Sequence, residues 1–243
     1  MGKLKDVIGC ILHPQRIIYR NCYSNDVFIN YLKSKGAQIG DETRFIAPQN
    51  CRIDPGRLDY IKIGKNCCIS SATILAHDYS WYVFATKYND ILPDPGGNVT
   101  IGNNVFVGYD SCILKDTTIG DNVIIGAKSV VKGSIPSNTV WAGVPAKQIY
   151  TLEEFYNKRI KDRIPDAIKR RDHIIKTKKR KPTIEEMGFF SLLFLERNEQ
   201  NYKAYIMNLE FNGVKGSEKI KNIFFHSTPI YKNFDAFLNG VDE

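Results

Sequence analysis

An aliphatic side chain returns at every sixth position from residue 101 onward, at Ile101, Val107, Ile113, Ile119, Ile125 and Val131, and Gly follows four of these six. Ile63, Ile69 and Leu75 carry the same phase upstream, and a shorter fragment starts at Ile39 and Gly40. An α-helix needs apolar spacing near 3.6 and a half-buried strand alternates at 2, so a period of six fits neither alone. It fits short strands joined by tight turns, three hexads closing one 18-residue coil from Ile101 to Ile119. Each aliphatic residue then points into a triangular prism, with the small residues Thr73, Ser111, Thr117 and Ser129 tucked beside it. The expected fold is mainly β, a parallel β-helix over residues 39–149. Stacked coils bury a continuous core that one repeat could not, so both ends need caps.

The repeat breaks after His77 and resumes at Val99, so residues 78–98 must leave the prism as a long extruded loop. Loops of this length inside a regular solenoid are functional or disordered. The rings of Tyr79, Trp81, Tyr82, Phe84 and Tyr88 argue against disorder, and ILPDPGG supplies two Pro and two Gly to turn the return path.

Outside the repeat the chain changes character. Residues 1–38 are expected to form an N-terminal helical cap, with a helix over Pro14 to Lys35. Residues 150–243 are rich in helix formers and read as a basic α-helical extension, entered at Thr151 as a cap with Glu153 and Glu154 in the first turn. Pro165 and Pro182 punctuate this tail, and FFSLLFLERNEQNYKAYIMNLEF reads as two amphipathic helices packing on the prism or on a neighbour. Lys and Arg number 34 against 26 Asp and Glu, a net +8, and much of the excess sits in residues 158–181. That segment lacks aromatic interleaving or an RNA-binding signature, so nucleic acid is not an expected partner; peripheral contact with an anionic glycan or lipid-linked molecule is.

Composition removes several other classes. At 43% apolar and 25% charged residues, global disorder is excluded. The longest uncharged apolar stretch, Phe189 to Leu195, is far short of the roughly 20 residues that span a bilayer. Ile8 to Leu12 is too short for a signal-peptide core, so a cytoplasmic location is expected. The six Cys show no Cys-x-x-Cys spacing, so buried thiols are expected and a metal is not. Neither G-x-G-x-x-G after a strand nor G-x-x-x-x-G-K-[ST] occurs, which disfavours nicotinamide and ATP cofactors.

The segments IGKNCCISSATILAHDYS and GAKSVVKGSIPSNTVWAGVPAK, together with the hexads between them, resemble the hexapeptide-repeat acyltransferases. The likeness is strongest to sugar O-acetyltransferases of bacterial surface-polysaccharide loci and to the maltose, galactoside and xenobiotic branch. It implies a left-handed β-helix, acetyl-CoA as co-substrate, a sugar or glycan acceptor, and a homotrimer with grooves between neighbouring prisms. It also implies that His77 is the general base for direct attack of an acceptor hydroxyl on the thioester, a role suited to an imidazole that accepts and returns a proton near neutrality. Asp78 adjoins His77 but points away in an extended segment, so a backbone carbonyl or a distant side chain is the expected orienter of the ring.

The resemblance further places Gly108, Tyr109, Gly126 and Ala127 at turns whose backbone groups meet the pantetheine arm. Ala142 and Gly143 match the closing motif, and Lys132 and Lys147 are candidate phosphate partners, although Lys132-Gly133 departs from the family's Thr-Lys. Trp141 either stacks on adenine or plugs the open prism end. In the loop, Asp78, Tyr79, Trp81 and Tyr82 are the expected acceptor contacts. Two alternatives stay open: N-acetylation of a nucleotide-linked amino sugar or O-acetylation of an antibiotic, and a non-catalytic scaffold on the same prism.

Overall fold

A computed structural model describes residues 20–211 and 218–240, and these fall in two compact units, one ending at Tyr156 and one beginning at Asn157. In the first unit the hexads become three parallel ladders. One stacks Ile39, Ile63, Ile101, Ile119 and Ile135. The second stacks Phe45, Ile69, Val107 and Ile125 and closes on Trp141. The third stacks Ile53, Ile74, Ile113 and Val131. All but Trp141 are buried and form one continuous core. The strand Cys112–Ile119 bends through a corner of the prism, so Ile113 belongs to the third ladder and Ile119 to the first.

Most corners are made by one residue in the left-handed region followed by a small buried one. Asn66, Asn104, Asn122 and Asn138 occupy the corner between the first and second ladders at φ of 54° to 61°, a conformation that Asn tolerates better than most residues. Their amides form a continuous side-chain ladder, each Nδ2 donating to the next Oδ1 at 3.0, 2.8 and 3.0 Å. Cys67, Val105 and Val123 come next in the chain and enter the core.

The hexad phase slips once. Ile69 is followed by Ile74, which is fully buried opposite Ile113, whereas Leu75 is only half-buried. The turn through Ser71, at φ 47°, is one residue shorter than its neighbour through Asp110. The small residue beside the core at this level is accordingly Ala72 rather than Thr73, while Ser111, Thr117 and Ser129 are buried as the sequence predicts.

Both ends of the prism are covered. The expected N-terminal helix lies partly outside the described residues, over 14–19; the described part of that segment holds a single 3-10 turn, Arg20–Cys22, and a helix, Asn25–Ser34. Ser24 caps that helix, and Phe28 and Leu32 bury against the first coil, Phe28 meeting Phe45 edge-on at 5.0 Å. At the far end the strand Thr139–Gly143 turns back antiparallel onto Ala146–Thr151. Trp141 packs half-buried on the core and donates its Nε1–H to Thr139 Oγ1 at 3.0 Å.

Thr151 and Glu154 form a reciprocal capping pair at the start of the helix Leu152–Lys178. Pro165 lies inside that helix rather than ending it; the missing N–H forfeits one hydrogen bond, and the helix continues to bury Ala167 and Ile174 beyond it. Pro182 comes after the helix, as expected. The second unit has its own core of Met187, Leu193, Phe194, Leu195, Tyr231 and Phe237 around those two residues. FFSLLFLE is not an amphipathic helix: Gly188–Leu193 is 3-10 and three consecutive side chains, Leu193 to Leu195, are buried, which no single helix face allows. Beyond it the predicted helix forms, over Glu199–Phe211. Among the described residues no helix is long and apolar enough to cross a membrane.

Candidate active site

The long loop leaves the prism at the corner between the third and first ladders. Ile63 and Ile101 pair across 38 residues where Ile101 and Ile119 pair across 18, and the difference is the excursion after His77. The excursion is not wholly irregular, since Trp81–Tyr88 is a helix with no buried residue. Tyr79, Tyr82, Val83, Tyr88 and Ile91 are each more than 60% exposed.

His77 stands at the start of this excursion, and one coil above it the third ladder carries Ile53 and Asp54. Asp54 is almost wholly buried and its Oδ2 accepts a hydrogen bond from His77 Nδ1. The same carboxylate accepts from the backbone N–H of Ala76 and of Gly56, each at 3.2 Å. Three donors converge on one buried anion, which fixes both its position and the tautomer of the ring. With Nδ1–H turned to Asp54, Nε2 keeps the free lone pair. Sequence reasoning left the orienter of His77 open and missed Asp54, because Asp54-Pro55-Gly56 reads as a turn.

His77, Asp78, Tyr79 and Trp81 line one pocket of about 590 Å³ together with Asp54, Arg57, Ile91 and Asp94. The Tyr79 ring lies 4.4 Å from that of His77. Tyr82 is not part of this lining and faces outward. Asp78 makes no contact with the His77 ring; it pairs with Lys115 at 2.7 Å and accepts from Ser80 Oγ–H at 2.6 Å. These bonds, the Lys115 one foremost, hold its carboxyl well below the usual carboxylate range.

Gly108, Gly126 and Ala142 lie in register along the corner between the second and third ladders, with Tyr109, Ala127 and Gly143 beside them. The N–H groups of the two glycines are engaged within the prism. Gly108 N–H donates to Ile125 O and Gly126 N–H to Trp141 O, both at 2.8 Å. Gly126 O accepts from the hydroxyls of Ser111 and Ser129. Close stacking explains Gly here: a Cβ on Gly108 would come within 2.5 Å of Ala127 N. Lys147 pairs opposite Ala142 at this end and is exposed. Lys132 is exposed as well, but it falls between Val131 on the third ladder and Gly133 on the first. That is the corner from which the loop leaves, so Lys132 sits apart from the glycine edge.

A family profile described as bacterial transferase hexapeptide (six repeats) matches residues 98–133. The chain is 37% identical over 129 residues to protein CapG of Staphylococcus aureus, covering 52% of this chain and 73% of CapG. It is 29% identical over 163 residues to the putative lipopolysaccharide biosynthesis O-acetyl transferase WbbJ of Escherichia coli, covering 55% and 81%. Among solved structures, a maltose O-acetyltransferase from Clostridium difficile aligns at 28% identity and a TM-score of 0.37, over 52% of this chain and 75% of that one.

Proposed function

The chain belongs to the hexapeptide-repeat acetyltransferase family, and from that premise we propose that it transfers an acetyl group from acetyl-CoA to a sugar hydroxyl in the synthesis of a bacterial surface polysaccharide. The observation that carries the reading is the buried Asp54 carboxylate bonded to His77 Nδ1 in a pocket wide enough for a glycosyl unit. The description of WbbJ, a putative lipopolysaccharide biosynthesis O-acetyl transferase, supports the sugar and the oxygen acceptor.

In this reading acetyl-CoA supplies an activated thioester. His77 Nε2 takes the proton of the acceptor hydroxyl as its oxygen bonds to the thioester carbon, then returns that proton to the departing thiolate. Asp54 holds the ring in place and offsets the positive charge that the imidazole gains on protonation. No nucleophile on the protein is needed. Tyr79 and Trp81 offer flat apolar surfaces for the C–H face of a sugar ring, and Asp78 offers a carboxylate oxygen to its hydroxyls.

Gly108, Gly126, Ala127, Ala142 and Gly143 carry no side chain larger than a methyl group, and beside the exposed ring of Tyr109 they leave a strip that fits a narrow pantetheine arm by contact rather than through the two engaged Gly N–H groups. Lys147 is placed at its end for phosphate, and we take the prism as left-handed. The exposed face of Tyr82, Val83, Tyr88 and Ile91 supports a trimer in which a neighbouring copy covers the loop.

The test is mass spectrometry of de-O-acetylated bacterial glycans, nucleotide sugars, amino sugars and chloramphenicol incubated with acetyl-CoA and either wild type or His77→Ala. A one-acetyl gain on a neutral sugar, lost in the variant, is the expected result. A gain only on an amine or on the antibiotic would overturn the sugar-hydroxyl reading.

A further inference from the structure

Lys115 belongs to neither the catalytic pair nor the acceptor-binding set, yet its ammonium reaches both ends of the excursion. Nζ lies 2.7 Å from Asp78 Oδ2 and 2.6 Å from Asp94 Oδ1. Asp78 is the first residue of the loop, and Asp94 stands sixteen residues on, in its return path. The Asp94 carboxylate also accepts the backbone N–H of Asp78 at 2.8 Å and that of Gly96 at 3.2 Å. The carbonyls of Asp94 and Pro95 accept from the Arg57 guanidinium at 3.0 and 2.7 Å. The bonds therefore run in a closed circuit round the pocket. Asp54 holds His77, the next residue is tied through Lys115 to Asp94, and Asp94 is tied through Arg57 back to the segment that bears Asp54.

Lys115 is well placed for this task. It sits on the strand Cys112–Ile119, whose two ends are locked into the third and first ladders, one coil below His77. Its side chain is 22% exposed and that of Asp94 10%. Asp78 is more open, at 46%, so the bond to Asp94 is the one largely withdrawn from water; charge-assisted hydrogen bonds this short are the stronger kind and, where shielded, hold geometry better than exposed pairs. Without the ammonium, two carboxylates would face each other across the neck of the loop and repel.

We propose that Lys115 is a positioning residue for acetyl transfer: it pins Asp78 to Asp94 and so sets the wall of the acceptor pocket against His77. Lys115 touches neither the His77 ring nor the corner assigned to acetyl-CoA. Its effect falls on the acceptor alone. The kinetic half of this inference rests on the acetyl-transfer reading; the structural half does not.

The test compares wild type, Lys115→Met and Lys115→Arg in the full-length protein. Hydrogen exchange read by mass spectrometry is expected to rise at least tenfold across residues 78–98 in Lys115→Met, with the prism amides of 99–135 unchanged. The acceptor KM is expected to rise about 10- to 100-fold, since small misplacements of a bound reactant cost on that order. The KM for acetyl-CoA should stay within about twofold, and Lys115→Arg, which keeps the charge, should restore most of both effects. Unchanged exchange over 78–98, or exchange raised equally through the prism, would overturn the proposal. So would a parallel rise in both KM values, or an Arg variant no better than Met. If wild type acetylates nothing, the acetyl-transfer reading fails, and the exchange data alone decide whether Lys115 pins the loop.

Discussion

Replacing Asp54 by Asn removes the negative charge beside His77 while keeping the size of the side chain. In the wild type, one oxygen serves His77 Nδ1–H and Ala76 N–H, and the other serves Gly56 N–H. An amide can satisfy only one of those sides, because its NH2 turns a donor on whichever N–H it faces. If the carbonyl stays on His77, the ring keeps its tautomer but loses the charge that stabilises its protonated form. With charge centres about 4 Å apart and an effective dielectric near 20, that attraction is about 4 kcal/mol, an upper bound of about three decades in rate. If the NH2 turns to His77 instead, the free nitrogen becomes Nδ1 and Nε2 can no longer accept a proton. The general-base contribution, at least about 10²-fold, is then lost.

The prediction is a kcat lowered about 10²- to 10³-fold, with the KM for acetyl-CoA within about twofold. Free thiol released from acetyl-CoA in the presence of an identified acceptor, followed with a thiol-reactive chromophore, gives both numbers, and a melting curve checks that the variant is folded. An Asp54→Asn protein that keeps more than a third of wild-type kcat would refute the assignment of Asp54 as the partner of His77.

Three further outcomes are expected. Asn104→Ala puts at φ 55° a residue that lacks the tolerance of Asn for the left-handed region, and cuts two rungs of the amide ladder, so its melting temperature should fall by about 3–8 °C. Asn104→Gly should fall less, and an unchanged Ala variant would show the ladder to be idle. Burial pushes the Cys51 thiol up to about 11, so at pH 8 alkylation of Cys51 should be about 100-fold slower than that of an ordinary thiol, as peptide mass mapping would show. Asp78 and Asp94 have lowered pKa values and Lys115 a raised one, each through the bonds between them. The carboxylates' contribution is present above their ordinary pKa and is lost only as pH falls through the lowered one. That of Lys115 is lost only as pH rises through its raised value. Protease protection of residues 78–98 should therefore be flat from pH 5 to 9, and a step inside that window would contradict the pairing.

The prism was legible because its period is local: aliphatic residues six apart must share a phase if each face buries one. The slip at Ile74 was not, because Leu75 and Ile74 are equally apolar and only the shortened turn at Ser71 decides between them. The Asn ladder was in plain view, since Asn104 and Asn122 stand one coil apart, but reading it requires knowing that the corner is left-handed.

His77 was found from its place at the break in the repeat. Asp54 escaped, because it comes beside His77 only when the coil above is laid in register, and that coil has an irregular length. A search for acidic residues one coil above the break would have found it. Lys115 and Asp94 are joined across the neck of a loop, a distance set by the return path rather than by any spacing. Beyond the prism, helix propensity marked the long helix and its Thr151 cap but misjudged Pro165 and the buried run Leu193 to Leu195, where packing overrides pattern.

The most direct test of acetyl transfer by His77 measures acetyl-CoA binding and turnover together in wild type and His77→Ala. The account predicts that both proteins bind acetyl-CoA with dissociation constants within about twofold, and that turnover on the identified sugar acceptor falls at least about 10²-fold in the variant. Turnover retained by His77→Ala at a rate near wild type would contradict it.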